Sequence, residues 1–176
     1  MLQTSKPLHL GFLTVVQEAS GFLGGYLVTN SWGRPLEFRL TTAVQPNRVQ
    51  QILYGPTLTG FLHGELIGKT LVEKSNAPVA MIVTDRPTVL ELRRAVSVPV
   101  VCIPSDEGDA DPGRRTFRAA SASAPSWVIH PRHPEDETAL REILAQLDDA
   151  FDLLEPFGRI REAIAEARKQ GVTTRG

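Results

Sequence analysis

Apolar residues follow three rhythms along this chain, and each predicts a different kind of element. The first is alternation. Leu8 to Val16 alternates weakly, Gly21 to Asn30 (GFLGGYLVTN) follows, and Leu36 to Thr41 (LEFRLT) alternates cleanly. Side chains of a strand point to opposite faces in turn, so these runs predict a three-stranded antiparallel meander. Asn30-Ser31-Trp32-Gly33 has the composition of a tight turn between the second and third strands. In the third strand Leu36, Phe38 and Leu40 are expected to face the core, with Glu37, Arg39 and Thr41 opposite.

The second rhythm is the short unbroken apolar run. Pro78 to Val83 and Val98 to Ile103 are of this kind, and such runs suit strands covered on both faces. Between them Asp85-Arg86-Pro87-Thr88 leads into VLELRRAV. Asp85 has the character of a helix cap and Pro87 that of a first-turn residue, so the segment predicts strand, helix, strand. Ligands of open α/β sheets bind beyond the carboxyl ends of the strands. Asp85, Ser105 and Asp106 are therefore the residues to watch for a ligand.

The third rhythm is helical. Val49, Ile52 and Leu53 make the apolar side of a short helix that opens after Pro46 and is broken at Gly55-Pro56. From Thr57 to Lys74 apolar residues surround the helix, as in a buried one. Gly60, Gly64 and Gly68 form a ridge within it. Each glycine disfavours a helix by ~1 kcal/mol relative to alanine, so the ridge predicts a backbone packed closely against it. Glu65 and Lys69 are spaced to pair. At the other end of the chain, Leu140, Ile143, Leu144, Leu147, Phe151 and Leu154 form one stripe. Phe157 and Ile160 continue it beyond Pro156, and Gly171 stops the helix.

The elements together predict an α/β fold: an N-terminal antiparallel meander, a buried helix, a βαβ-like central unit, and C-terminal amphipathic helices packed on the sheet or on a partner. Residues 1–105 are read as the α/β core, 106–126 as a flexible linker, 127–170 as a short strand plus a helical arm, and 171–176 as a disordered tail.

Composition narrows the functions. With 176 residues the chain can build one real core. Its formal net charge of −1 provides no overall field to attract nucleic acid or anionic lipid. The single cysteine, Cys102, rules out a disulfide framework or a multi-cysteine zinc site and sits in an apolar strand. No apolar run approaches the ~20 residues of a membrane span, and the N-terminus lacks a signal-peptide pattern. These features predict a cytoplasmic location.

Motifs are scarce. Gly21, Gly24 and Gly25 precede a strand and not a helix, which is the wrong setting for a phosphate loop; a bulge or close backbone contact fits better. Residues 64–70 (GELIGKT) miss the spacing of a nucleoside triphosphate loop and lie within a helix. Asp106, Glu107, Asp109 and Asp111 do not fit a calcium-loop template. His130 and His133 lack an evident third ligand for zinc, and no cofactor is implied. Arg114, Arg115 and Arg118, with Arg93 and Arg94, are too few and too poor in interleaved aromatics to carry a nucleic-acid claim.

With no catalytic motif, the sequence leans away from an enzyme. It predicts a non-catalytic binding or assembly subunit, self-associating or bound to a protein partner through Leu140, Ile143, Leu144, Leu147, Phe151, Leu154, Phe157 and Ile160. Membrane and nucleic acid are disfavoured as partners. The alternative is a small hydrolase or transferase, with its site at the carboxyl edge near Asp85, Ser105 and Asp106 and a histidine close by.

Overall fold

Strands that are apolar on both faces need cover on both, and the chain provides it from its two halves. The structure is a computed structural model describing residues 6–104, the backbone of 115–118, and residues 126–171. Its strands are β1 (His9–Glu18), β2 (Gly21–Asn30), β3 (Pro35–Leu40), β4 (Met81–Thr84), β5 (Val100–Cys102), β6 (Arg115–Arg118) and β7 (Ser126–Ile129). They form one mixed sheet in the order β3-β2-β1-β4-β5-β7-β6. The meander and the central unit therefore share a sheet. The strands β1, β4 and β5 run parallel, and the outer pairs are antiparallel.

The helical elements of the first half are α1 (Arg48–Tyr54), α2 (Leu58–Gly60), a π-helical stretch (Phe61–Gly68), α3 (Lys69–Lys74) and a 3-10 helix (Pro87–Arg94). The second half adds α4 (Asp136–Leu144) and α5 (Glu155–Lys169). One face of the sheet packs Leu13, Tyr26, Ile82, Val100 and Cys102 against Ile67, Leu71, Val89 and Leu92 of the first-half helices. The other packs Leu10, Phe12, Leu27, Met81, Val83 and Trp127 against Leu140 of α4 and Phe157, Ile160 and Ile164 of α5. The rings of Phe12 and Phe157 meet edge to face, 5.7 Å apart.

Close approach explains the glycines. A Cβ on Gly24 would collide with Ile67, and one on the next residue, Gly25, with Ile160. Consecutive residues point to opposite faces, so β2 is pressed from both sides. The predicted ridge also packs as expected: a Cβ on Gly64 would lie 2.7 Å from the Leu92 backbone nitrogen. Gly33 takes a φ of +80° in the turn between β2 and β3, where a side chain would be strained.

Several local expectations change. The β3 strand is a sheet edge, so Leu36 and Phe38 stay 47% and 37% exposed. Glu37, on the face expected opposite the core, accepts hydrogen bonds from the Ser75 hydroxyl and the Asn76 and Ala77 amides. These bonds, with Arg39, hold its carboxyl below the usual range. Helix α1 is fixed by a capping box between Asn47 and Gln50, not by core packing; Val49, Ile52 and Leu53 are all exposed. Glu65 pairs with Arg94 and Lys69 with Glu73, not with each other.

The C-terminal stripe is not one helix. Helix α4 stops at Leu144, and the side chains of Asp148 and Asp152 then accept from the Ala150 and Leu154 amides. Such local turns compete with helix. Pro156, expected to interrupt, sits in the first turn of α5.

Candidate functional site

The carboxyl ends of the parallel strands meet at Asp85. Strand β4 lies between β1 and β5, with Thr84 opposite Leu13 on one side and Cys102 on the other. Asp85 follows directly and is only 3% exposed. It is not a helix cap: the 3-10 helix starts from Arg86 without a side-chain cap. Instead the Thr14 hydroxyl donates to Asp85 Oδ1 at 2.6 Å, and Arg161 of α5 donates to Oδ2. Asp85 thus ties β4 to β1 and to the last helix, while the Arg161 side chain stays 40% exposed. Among the described residues its partners are Thr14 and Arg161, and neither is a histidine.

The next residues turn to the other face. The Arg86 amide donates to Thr84 Oγ1 at 3.1 Å, while its buried Nε has no acceptor. His63, in the π-helical stretch and 8% exposed, has Nδ1 2.6 Å from Thr88 Oγ1. Its buried Nε2 has no partner. Burial, reinforced by the nearby Arg86 charge, lowers the His63 pKa to about 4, so the ring is neutral at pH 7.

From Pro87 and Thr88 a cleft of about 700 Å³ runs along the 3-10 helix to Arg94 and His130. Tyr54 and Phe61 stack in its wall, with ring centroids 4.3 Å apart. Its polar groups interlock. Arg94 lies 3.3 Å from Glu65 and 3.6 Å from Glu91. The Arg132 amide donates to His130 Nδ1, which leaves the proton on Nε2, 3.7 Å from Glu91. Burial holds His130 below the usual imidazole value; Glu91 opposes that shift, and His133, Arg94 and Arg132 reinforce it.

The sequence candidates fare unevenly. Asp85 is where the strand order placed it, whereas Ser105, Asp106 and nearly all of the expected linker lie outside the described residues. Of the expected interface residues, Leu140, Ile143, Phe157 and Ile160 are buried in the chain's own core. Leu144, Leu147 and Phe151 pack against that core, and Leu154 is 44% exposed. The C-terminal helices thus turn most of this stripe onto their own sheet. Arg93 is tied to Asp136 at 2.9 Å and Arg94 to the two glutamates, so neither offers an unpaired charge. Glu91 and the Tyr54–Phe61 pair escaped sequence reading, and Glu65 was assigned to Lys69 and not to Arg94, because helical spacing alone does not say that these segments face each other.

Among the described residues no three His, Cys, Asp or Glu side chains gather as a metal site. A metal-assisted hydrolase needs carboxylates open to the ion, and both Asp85 oxygens are engaged by Thr14 and Arg161. The described residues do not fit a divalent cation at Asp85. No helix among them is long and apolar enough to cross a membrane.

Comparison with protein-family models gives no match, and comparison with curated protein sequences gives none either. Solved structures do match. An endonuclease V from Streptomyces avermitilis superposes with a TM-score of 0.54 at 13% identity, over 93% of this chain and 82% of that one. An endonuclease V variant from Ciona intestinalis, in complex with a 23mer DNA containing an inosine followed by a ribo-adenosine, reaches 0.42 at 10% identity, over 80% and 78% of the two chains. The first likeness establishes a shared α/β fold. It also corrects two expectations, the non-catalytic self-associating subunit and the reading of nucleic acid as an unlikely partner. The helices that motivated the first are internal, and the architecture is one that an endonuclease uses. A near-zero net charge averages over the whole surface and does not speak to local charge at one edge.

Proposed function

We propose that this chain is a nucleic-acid-processing hydrolase whose site lies at the carboxyl edge of β4. The observation that carries the reading is Asp85. A carboxylate held 3% exposed at the end of a central parallel strand, gripped by Thr14 and Arg161, stands where ligands of open sheets bind. Asp85 fixes the Arg161 guanidinium, and a pre-oriented cation stabilises charge that develops on a phosphoryl oxygen. The stacked rings of Tyr54 and Phe61 offer a surface for bases, which bind aromatic faces with little regard to sequence. Ser105 and Asp106, which lie outside the described residues, follow β5 in sequence and stay candidates. The cytoplasmic location belongs to this proposal.

The test is cleavage of labelled single- and double-stranded oligonucleotides by the full chain, with and without Mg²⁺ or Mn²⁺. Cleavage is expected, with loss of at least ~10²-fold in Asp85→Asn, in line with removal of one electrostatic contact to the transition state. Melting temperatures measured alongside separate lost chemistry from lost folding. If the wild-type chain neither cleaves nor shows salt-dependent binding, the reading is wrong.

A further inference from the structure

We propose that a cavity at the amino edge of the parallel strands binds a small neutral molecule, whose carbonyl or hydroxyl oxygen is held by the Tyr26 hydroxyl and whose apolar body is held by a collar of valines. The cavity measures about 460 Å³ and is walled by two loops, residues 75–79 leading into β4 and residues 95–98 leading into β5. Both loops precede their strands, and β4 and β5 run parallel, so the cavity lies at the opposite end of the sheet from Asp85. Small-molecule sites commonly span roughly 300–1,000 Å³. Tyr26 of β2 forms part of the lining, although the residue is only 1% exposed. Among the described residues no hydrogen bond reaches its hydroxyl. A phenol buried to this degree ordinarily has a partner, because an unpaired hydroxyl gives up water and gains nothing in its place. Here the open space beside it has room for one.

The neighbouring strand is shaped to admit that hydroxyl. A Cβ on Gly11 of β1 would stand 2.5 Å from Tyr26 Oη and 2.6 Å from Cε2, so the ring end lies across a position that carries no side chain. Glycine weakens a strand interior, and phenylalanine at position 26 would fill the same core without an unpaired hydroxyl. The lining sets the character of the ligand. Among the described residues that wall the cavity none is charged. The Glu37 carboxylate is already engaged by Ser75, Asn76, Ala77 and Arg39. An ion would lose its hydration here with no opposite charge to replace it. Val72, Val79, Val96 and Val98 supply the apolar collar, and Asn76 and Ser97 add polar groups. Burial, with the Glu37 charge adding to it, raises the Tyr26 pKa above its ordinary value, so the phenol keeps its proton and can donate it to a ligand oxygen.

The experiment is ¹H–¹⁵N NMR of the full chain, titrated in turn with cyclohexanone, cyclohexanecarboxylate and cyclohexylammonium, which share a ring and differ in charge. Support is saturable movement of the amides in residues 75–79 and 95–98 with cyclohexanone, and binding of both ions weaker by about tenfold or more. Tyr26→Phe should weaken cyclohexanone about fivefold, the worth of one hydrogen bond. The same variant keeps the ring and removes only the hydroxyl, so without ligand its Tm should hold or rise, because deleting an unpaired buried hydroxyl does not destabilise. A fall in that Tm means that the hydroxyl has a partner in the unliganded chain, and it overturns the proposal. So does the lack of saturable movement in wild type, an ion that binds as well as the ketone, or undiminished binding in Tyr26→Phe.

Discussion

Replacing glycine by alanine should have opposite effects at two helical positions of this chain. At Gly158, in the first turns of α5, an added Cβ meets nothing within 4 Å. The substitution there removes backbone freedom from the unfolded chain and should stabilise by about 0.5–1 kcal/mol. At Gly64 the same Cβ would stand 2.7 Å from the Leu92 nitrogen and 3.0 Å from the Glu91 carbonyl carbon. That wall is backbone and cannot rotate aside, so the π-helical stretch must back away from the 3-10 helix. Overpacking of this kind costs about 1–3 kcal/mol, and the propensity gain of ~1 kcal/mol offsets part of it. A net loss of up to about 2 kcal/mol follows, or a fall in Tm of up to roughly 8 °C for a domain of this size. Gly60 is the intermediate case: its Cβ would meet Glu91 Cγ at 3.0 Å, a side-chain atom free to give way, so Gly60→Ala should be close to neutral. Urea denaturation of the three variants reads the series directly. If Gly64→Ala stabilises as much as Gly158→Ala, the two helices are not in backbone contact and the cleft walls are wrongly placed.

Arg161→Leu should destabilise by about 2 kcal/mol, less than the full penalty of a broken buried pair because Arg161 is partly exposed. Adding Asp85→Asn should recover part of the loss, and strict additivity in urea melts would show that the two do not interact. His63 sets a pH dependence. Its folded pKa of about 4 lies below the free value of 6.5, so the unfolded chain takes up this proton first. Stability should fall as pH drops from 6.5 to 4, by up to about 3 kcal/mol from this group. His63→Gln should flatten that part of the pH–stability curve, and an unchanged slope would count against the buried neutral imidazole. Glu91→Gln removes the partner of His130 Nε2–H and a contact of Arg94; if the cleft holds bases, DNA affinity should change at this position and at Tyr54→Ala, which a salt-controlled binding assay detects.

What the sequence revealed was mostly local. The unbroken apolar runs of β4 and β5 announced burial on both faces, and the Gly60–Gly64–Gly68 spacing announced a close backbone neighbour. Asp85 was legible as a position but not as a role. Its partners Thr14 and Arg161 lie 71 and 76 residues away in sequence, whereas a helix cap is the explanation visible within four residues. The stripe from Leu140 to Leu154 read as one helix because periodicity does not register that Asp148 and Asp152 prefer to bond their own backbone. The apolar side of α1 promised core packing that the edge of the fold does not offer. The orphaned nitrogens of His63 and Arg86 have no sequence signature, since an unsatisfied atom exists only once the surroundings are built.

The two glycines of β2 bear on the order in which the chain can assemble. Gly24 seats against Ile67 and Gly25 against Ile160, so a two-residue stretch indexes both helical layers at once. Those layers come from opposite ends of the chain, one soon after the meander and one from the last helix. During synthesis β2 can settle on the first layer early, but its second face stays wet until α5 has left the ribosome and docked. The long β1–β2 hairpin would then wait half-covered for most of translation, a state prone to wrong pairing. On this order α5 would cover Gly25 and, through Arg161, bring the cation to Asp85 in the same step.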